Sequence, residues 1–534
     1  MFSIISIFWF FRESKNILFW LYLWQLKEYH IGRFFDHFKT DKGKKILFSP
    51  ILFAKIILAG LFIFNGKLFS VWFFILFLIY LFESAIFLKS ILSKQIKKPV
   101  ITGKTTFLIF ISFAVAILFL WRASFFSENP LIPFYLLIFD ILTPIIFSFV
   151  ILLFQPFFVF IRNNMLKKAG EKVKGFKGLT VIGITGSYGK TSTKEFLTTI
   201  LAKKLKVLST KEHQNSEVGI AKCILNDLNA EHQIFIVEMG AYRKGGIKLL
   251  ADMVKPKIGI VTGINEQHLA LFGSLENLLS AEGGRELAAA LPKEGFLVLN
   301  GDNKFCLDLY KKTPDVNKRV YTTYAGIIDS DIWTEDISVE KNAISFVAIS
   351  KKREMANFNV NVLGKQNVQN LLAAIIVARE LGLSFGEISQ ACLNIKQEQA
   401  GMILKPGKHG IDIIDSSYSA NPDGVFADLE FLNIFPNKKA IVMPCLIELG
   451  PKSAEIHQKI GRKIGEVCNL AIITSKEKFE DIKRGAIEAG IKPNNILLCD
   501  NPNEISIMIS LFCKTGDAVL LEGRGPVKLL NLLV

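Results

Sequence analysis

Cysteine is scarce in this chain, and its placement excludes a disulfide framework or a zinc module. The 534 residues hold seven, at Cys223, Cys306, Cys392, Cys445, Cys468, Cys499 and Cys513, with no CxxC pair among them. Reduced, buried thiols in a cytosolic compartment are the expectation. Acidic residues are scarce in one region only. Residues 1–168 hold 7 Asp+Glu against 19 Lys+Arg, whereas the rest holds 41 against 45. The basic excess therefore belongs to the hydrophobic third, where it sets topology against anionic lipid, and it does not indicate a nucleic-acid surface. A secretory leader is not expected either, since no basic start followed by a small-residue cleavage site is visible. No internal repeat or low-complexity tract stands out.

What the first third has in abundance is long apolar runs. Residues 46–64, 68–88, 106–121 and 131–161 reach or approach the ~20 residues that cross a bilayer as a helix. Residues 27–45 carry six Lys/Arg and 89–105 carry five, while 65–67 and 122–130 carry one each. By the positive-inside rule the first pair of loops is cytoplasmic and the second external, so four crossings return the chain to the cytoplasm near Arg162. The start, MFSIISIFWFF and NILFWLYLWQL interrupted by Arg12, Glu13 and Lys15, fits an interfacial helix or a fifth crossing. Glu83 and Asp140 stand inside apolar runs, which raises either helix–helix pairing or a substrate role. The expected organisation is a multi-pass region over 1–165, a linker over 166–178, and two further domains over 179–400 and 401–534.

From Leu179 the texture is α/β. LTVIGIT is a β-branched run, a glycine loop follows, and TSTKEFLTTILAKKL reads as a helix. Strand candidates recur at 234–238 and 257–262, predicting a mostly parallel sheet. Residues 318–362 alternate and suggest a small antiparallel insertion, closed by the helix NVQNLLAAIIVARELG. A second α/β unit follows, with IDIID, KKAIVMP, LAIIT, NILLCD and AVLLEG as strands. The fold class expected is a membrane helical region, a parallel-sheet ATPase-like domain with a phosphate loop, and a Rossmann-like C-terminal domain.

The glycine loop GITGSYGKTSTKE lacks the glycine that the usual phosphate-loop pattern places five residues before Gly189; Ile184 stands there. Position still argues for phosphate binding. Between a strand and a helix N-terminus, Gly186, Ser187 and Gly189 can turn backbone N–H groups toward phosphate oxygens, with Ser192 beside them. Lys190 would reach the β/γ-phosphates and Thr191 would offer its hydroxyl to Mg²⁺. Glu238, ending the strand IFIVE, is placed to hold the same metal. His268, in INEQHLALFG, is more ambiguous when read alone.

Together these segments resemble the Mur ligase family, most closely the type that adds D-alanyl-D-alanine to the peptidoglycan precursor. The resemblance covers 179–534. It rests on ITGSYGKTSTKE, QNSEVGIA, VEMGAYRKGGI, GINEQHLALFGSLENL, LGKQNVQNLLAA with Asn367 and Asn370, IIDSSYSANPDG, and LIELG with His457. It implies an ATP- and Mg²⁺-dependent ligase in which a carboxylate is phosphorylated and an amine attacks the acyl phosphate. Glu238 and His268 would handle Mg²⁺, Asn367 would belong to the nucleotide site, and Asp415, Tyr418 and Asn421 would close over nucleotide and amine. A muramoyl-peptide acceptor, a dipeptide amine and membrane lipid are the implied partners, with no nucleic acid. The implied location is the bacterial cytoplasmic membrane, with the ligase domains in the cytoplasm.

Several family features are lacking. The lysine that is carbamylated in the family has no counterpart in SAEGGRELAAALP, where one anchoring puts Glu282 at its position and another puts Gly284. Glu282 would bring its own carboxylate on a shorter arm. Gln366, Ser416 and Ser419 replace a family His, Asp and Asn, and Met402 stands where an arginine is expected. The family's UDP-gripping first domain has no visible counterpart, so either a separate protein binds the nucleotide sugar or the acceptor is lipid-linked. Folylpolyglutamate and cyanophycin synthetases share the core chemistry, but IIDSSYSANP and LIELG argue against them. A non-ligating ATP-binding scaffold is the reading from another class.

Overall fold

The computed structural model divides between Asn163 and Asn164 into two compact units. It describes residues 2–534 except 39–40, 65–68, 94–95, 127–130, 212–213, 266–267, 327–328, 419 and 527. Ser419 therefore lies outside the described residues.

Among the described residues of the first unit, four helices are long and apolar enough to cross a membrane. They are Gly43–Ile63, Ser70–Leu92, Gly103–Ser124 and the helix that begins at Ile132. Each coincides with one of the four apolar runs. Thr102 starts the third with a reciprocal capping box, which fixes its entry. Large apolar side chains such as Ile57, Phe74, Phe110 and Phe149 face outward, as a lipid-facing surface requires. Residues Phe2–Leu26 form one helix, burying Ile5, Trp9, Ile17, Leu21 and Trp24 against helices Phe69–Leu92 and Gly103–Ser124.

The stretch expected as a linker is helical through Gly175, continuing the helix from Ile132 past Pro144 and Pro156. Its reason is packing. Leu166, Ala169 and Val173 recur at helical spacing, and all three are buried in the core of the second unit.

The second unit holds two sheets. Strands β1 (Thr180–Thr185), β2 (Val207–Ser209), β3 (Ile234–Glu238), β4 (Ile258–Val261), β5 (Phe296–Asn300), β6 (Asn317–Thr322), β7 (Ile332–Val339), β8 (Ile344–Ser350) and β9 (Met355–Val360) lie in the order β2-β3-β1-β4-β5-β6-β7-β8-β9. The strands through β7 pair in parallel, and β8 and β9 add antiparallel. The alternating segment expected as an insertion thus extends the main sheet. Its face toward the helix Gln366–Glu380 is apolar, with Ile344, Phe346, Phe358 and Val360 buried in the same core as that helix. A second core, on Val181, Phe235, Val237 and Leu297, fills the opposite face.

The C-terminal sheet contains β10 (Ile403–Pro406), β11 (Asp412–Ser416), β12 (Lys439–Met443), β13 (Leu470–Ile473), β14 (Ile496–Leu498) and β15 (Ala518–Glu522), ordered β10-β11-β15-β12-β13-β14. It is parallel except for β10, and apolar cores cover both faces. Of the seven cysteines, six are buried and all are free thiols.

Candidate active site

Strand β1 lies between β3 and β4, so the loop that leaves it is flanked at the strand C-termini by two neighbouring strands. Crevices at such positions, where connections diverge to either side of the sheet, are where α/β folds bind ligands. Here the loop runs from Gly186 to the helix Lys190–Leu201. Gly189 holds the N-cap in the left-handed region at φ 75°. A side chain there would strike the Asn370 amide oxygen. The loop is pinned by Ser187 N–H donating to Gly263 O at 2.8 Å. Thr262 Oγ1 also donates to the Tyr188 carbonyl, and Lys190 Nζ donates to the Gly186 carbonyl.

Two carboxylates flank this loop, one on each side. On the β3 side, Glu238 accepts from Thr191 Oγ1 at 3.0 Å and from Asn215 Nδ2 at 3.2 Å. The fully buried Lys194 stands 3.7 Å from the same carboxylate and donates to Thr210 O at 2.8 Å. On the β4 side, Glu282 accepts from Ser187 Oγ at 3.0 Å and pairs with His268 Nδ1 at 2.8 Å. Among the described residues, His268 is thus joined to Glu282 rather than to Glu238. Glu282 is 2% exposed, whereas Gly284 serves only as the αL start of helix Arg285–Ala290. Of the two anchorings of SAEGGREL, the structure places Glu282 at the loop.

The remaining expected residues divide. Ser192 Oγ donates to Ala400 O at 3.3 Å, at the junction of the two domains. Asn367 is buried and donates to Leu363 O at 2.7 Å, acting behind Asn370, which itself touches the loop. Asn421 caps the helix Pro422–Leu432 through Gly424 N–H and also accepts from Asn265 Nδ2 at 3.1 Å. Asn265 further donates to Asp423 Oδ2 at 3.0 Å. These bonds bring the C-terminal domain onto the loop after β4. Asp415 is bound by Lys405 Nζ at 2.7 Å and by Ser417. Burial opposes its ionisation, but those hydrogen bonds outweigh it and hold the carboxyl below its ordinary range. Tyr418 is exposed. Gln366 Nε2 donates to Asp428 at 3.1 Å and Ser416 Oγ bonds the same carboxyl, so both substituted positions meet there. His457 is a satisfied core histidine. It donates from Nδ1 to Ser453 O at 2.6 Å and accepts Leu446 N–H at Nε2, and burial lowers its pKa.

Sequence reasoning missed Lys194, Asn215, Asn265, Asp423 and the loop contact of Asn370. A lysine four residues past Lys190 projects from the same helix face, and that spacing was the available signal for Lys194. Asn265 and Asp423 lie inside segments that carry the resemblance, but their meeting depends on how two domains dock.

The donor set suits Mg²⁺ bound with phosphate. A hydroxyl and a carboxylate can supply hard oxygen ligands, while phosphate and water complete an octahedron. Among the described residues no group of three His, Cys, Asp or Glu is placed to hold a metal ion by itself.

Residues 184–378 match the Mur ligase middle domain, and 402–525 match the Mur ligase glutamate ligase domain. The chain is 30% identical over 354 residues to the UDP-N-acetylmuramoyl-tripeptide–D-alanyl-D-alanine ligase of Synechocystis, covering 66% of this chain and 73% of the relative. It is 30% identical over 331 residues to the protein of the same name from Mycobacterium bovis, spanning 60% of this chain and 63% of that one. The solved MurF ligase of Thermotoga maritima in complex with ADP superposes with a TM-score of 0.59 at 27% identity, covering 70% of this chain and 83% of that one.

Proposed function

The chain belongs to the Mur ligase family, and from that premise we propose that it is an ATP-dependent ligase that joins D-alanyl-D-alanine to a muramoyl-tripeptide precursor at the cytoplasmic face of a membrane. The observation that carries the reading is the phosphate loop set between Glu238 and Glu282, with Asn421 of the C-terminal domain docked beside it.

In this reading the loop N–H groups and Lys190 would grip the polyphosphate, and Thr191 and Glu238 would hold Mg²⁺. The metal supplies charge neutralisation for the phosphoryl group in transfer. His268, oriented by Glu282, lies on the opposite flank of the loop, where the acceptor carboxylate would enter. Glu282 stands in for the carboxylate that a carbamylated lysine provides in relatives. The hydrogen bond from Ser187 supports this, since it holds the Glu282 carboxylate against the loop. The C-terminal domain presents Asp415 and Asn421 for the nucleotide and the incoming amine, and domain closure excludes water from the acyl phosphate.

The apolar helices that precede the ligase domains, long enough to cross a bilayer, favour an acceptor delivered at the membrane. Tethering raises the local concentration of a lipid-linked substrate. The test uses the full chain in lipid nanodiscs with ATP, D-alanyl-D-alanine, and either a soluble or a lipid-linked muramoyl tripeptide, following phosphate release and product mass. Release dependent on both acceptor and dipeptide supports the reading, and faster turnover of the lipid-linked acceptor supports membrane delivery. Release with glutamate and folate instead, or release independent of any amine, overturns it.

A further inference from the structure

Five charged side chains meet inside the first unit, where apolar helices surround them. Arg12 and Glu13 come from the helix Phe2–Leu26, Lys55 from Pro50–Phe64, Glu83 from Phe69–Leu92 and Asp140 from the helix beginning at Ile132. Arg12 forms an ion pair with Glu83, its Nε 2.7 Å away but not aligned as a hydrogen bond, and Lys55 Nζ donates to Glu83 at 2.5 Å and also to Asp140. Asn16 donates to Asp140 Oδ1 at 3.0 Å. Glu83 and Asp140 are thus paired across helices. The helix Gly103–Ser124 brings no charge between Lys104 and Arg122. Lys15 is half-buried at the edge of this set, near enough to act electrostatically on Glu83, Arg12 and Lys55, but it forms no salt bridge with them among the described residues.

Among the described residues the fully enclosed set does not balance: Glu13, Glu83 and Asp140 face Arg12 and Lys55, with Lys15 only at its edge. Glu13 is the one carboxylate that neither cation satisfies. It is fully buried, and its Oε2 has no hydrogen-bond partner. Its Oε1 lies 2.7 Å from Thr143 Oγ1, which is also 3.0 Å from the Phe139 carbonyl. A threonine hydroxyl has one hydrogen. With Glu13 ionised, two acceptors compete for it and a lone charge stays in an apolar interior, where it is costly. With a proton on Glu13, the acid donates to Thr143, Thr143 donates to Phe139, and the cluster becomes neutral. The neighbouring Tyr80 phenol, also fully buried and unpartnered, adds a dipole but no compensating charge.

We propose that this interior is a proton-binding site, with the exchangeable proton held on Glu13. The proton comes from solvent and returns to it, so the exchange converts a carboxylic acid to a carboxylate and needs no other reactant.

The test is infrared spectroscopy of the full chain in lipid nanodiscs at neutral pH, comparing wild type with Glu13→Gln. The wild-type-minus-variant difference should show one protonated-carboxyl C=O band. Replacing sodium by an organic cation should leave that band unchanged. Glutamine mimics the neutral acid, so thermal stability should match the wild type. Asp140→Asn should behave differently from wild type, losing the acid band because two carboxylates then balance two cations. An absent band in the Glu13→Gln difference spectrum overturns the proposal. So does marked destabilisation by Glu13→Gln, or a band that appears only when sodium is removed, which would make a metal cation the ligand.

Discussion

Gly189→Ala offers a direct test of the loop, because its effect can be assembled from separate contributions. The residue sits at φ 75°, and holding an alanine in the left-handed region costs about 1–2 kcal/mol. The new methyl also displaces the Asn370 amide, which accepts from Thr193 at 3.4 Å and donates to Asn367 at 3.1 Å. Losing those two bonds costs about 0.5–1.5 kcal/mol each, for a total of about 2–5 kcal/mol. Where that cost is read depends on the free protein. If the loop keeps its shape without nucleotide, the loss shows as weaker hydrogen-exchange protection in the helix Lys190–Leu201. If the loop relaxes, the cost is transferred to binding, and ATP affinity falls by about tenfold per 1.4 kcal/mol. Gly245→Ala is the internal control. It sits at φ 84° with open space beyond it, so strain alone applies, about 1–2 kcal/mol. Hydrogen exchange and calorimetric ATP titration on both variants separate strain from collision. Equal effects in the two variants, or no change in either measurement for Gly189→Ala, would refute the reasoning.

Two more outcomes follow from named contacts. Glu282→Gln should abolish ligation while leaving ATP affinity within a few-fold of wild type, since Glu282 touches the loop through Ser187 but not through Lys190 or Thr191; unchanged turnover would sink its assigned role. A pH effect is expected at Asp428 and Glu522, which burial pushes up, Asp428 to about 6 and Glu522 well above its ordinary value. The folded state therefore binds more protons than the unfolded chain above about pH 4. Stability conferred by the protonated pair is present near pH 4 and declines as pH rises through about 6, by about 3 kcal/mol for Asp428 alone. Thermal unfolding of Asp428→Asn across that window should show a flatter profile than wild type, and an identical profile would argue against the protonated pair.

Much of this was legible in the residues because the signals were local. The strand, glycine loop and helix around Lys190 are adjacent in sequence, and Glu238 follows a run whose only easy reading is a buried parallel strand. The four apolar runs needed only length. What escaped depended on distant docking. The short strands β2 and β10 have three and four residues, too few to show a period. The stretch after Arg162 read as linker because its polar residues masked Leu166, Ala169 and Val173, which become meaningful only once a partner surface exists. The pairing of His268 with Glu282, 14 residues further on, also depends on the folded loop and has no sequence signal.

Asn421 uses one oxygen for two different jobs. Gly424 N–H holds it from within its own helix, and Asn265 holds it from the other domain. Only the second bond must break when the domains part. The first stays, so the oxygen keeps its aim while the site is open to reactants. On the proposed domain closure this makes a latch whose catch is ready-made: release costs about one net hydrogen bond at Asn421, ~0.5–1.5 kcal/mol, and re-engagement requires no reordering of the part that receives it.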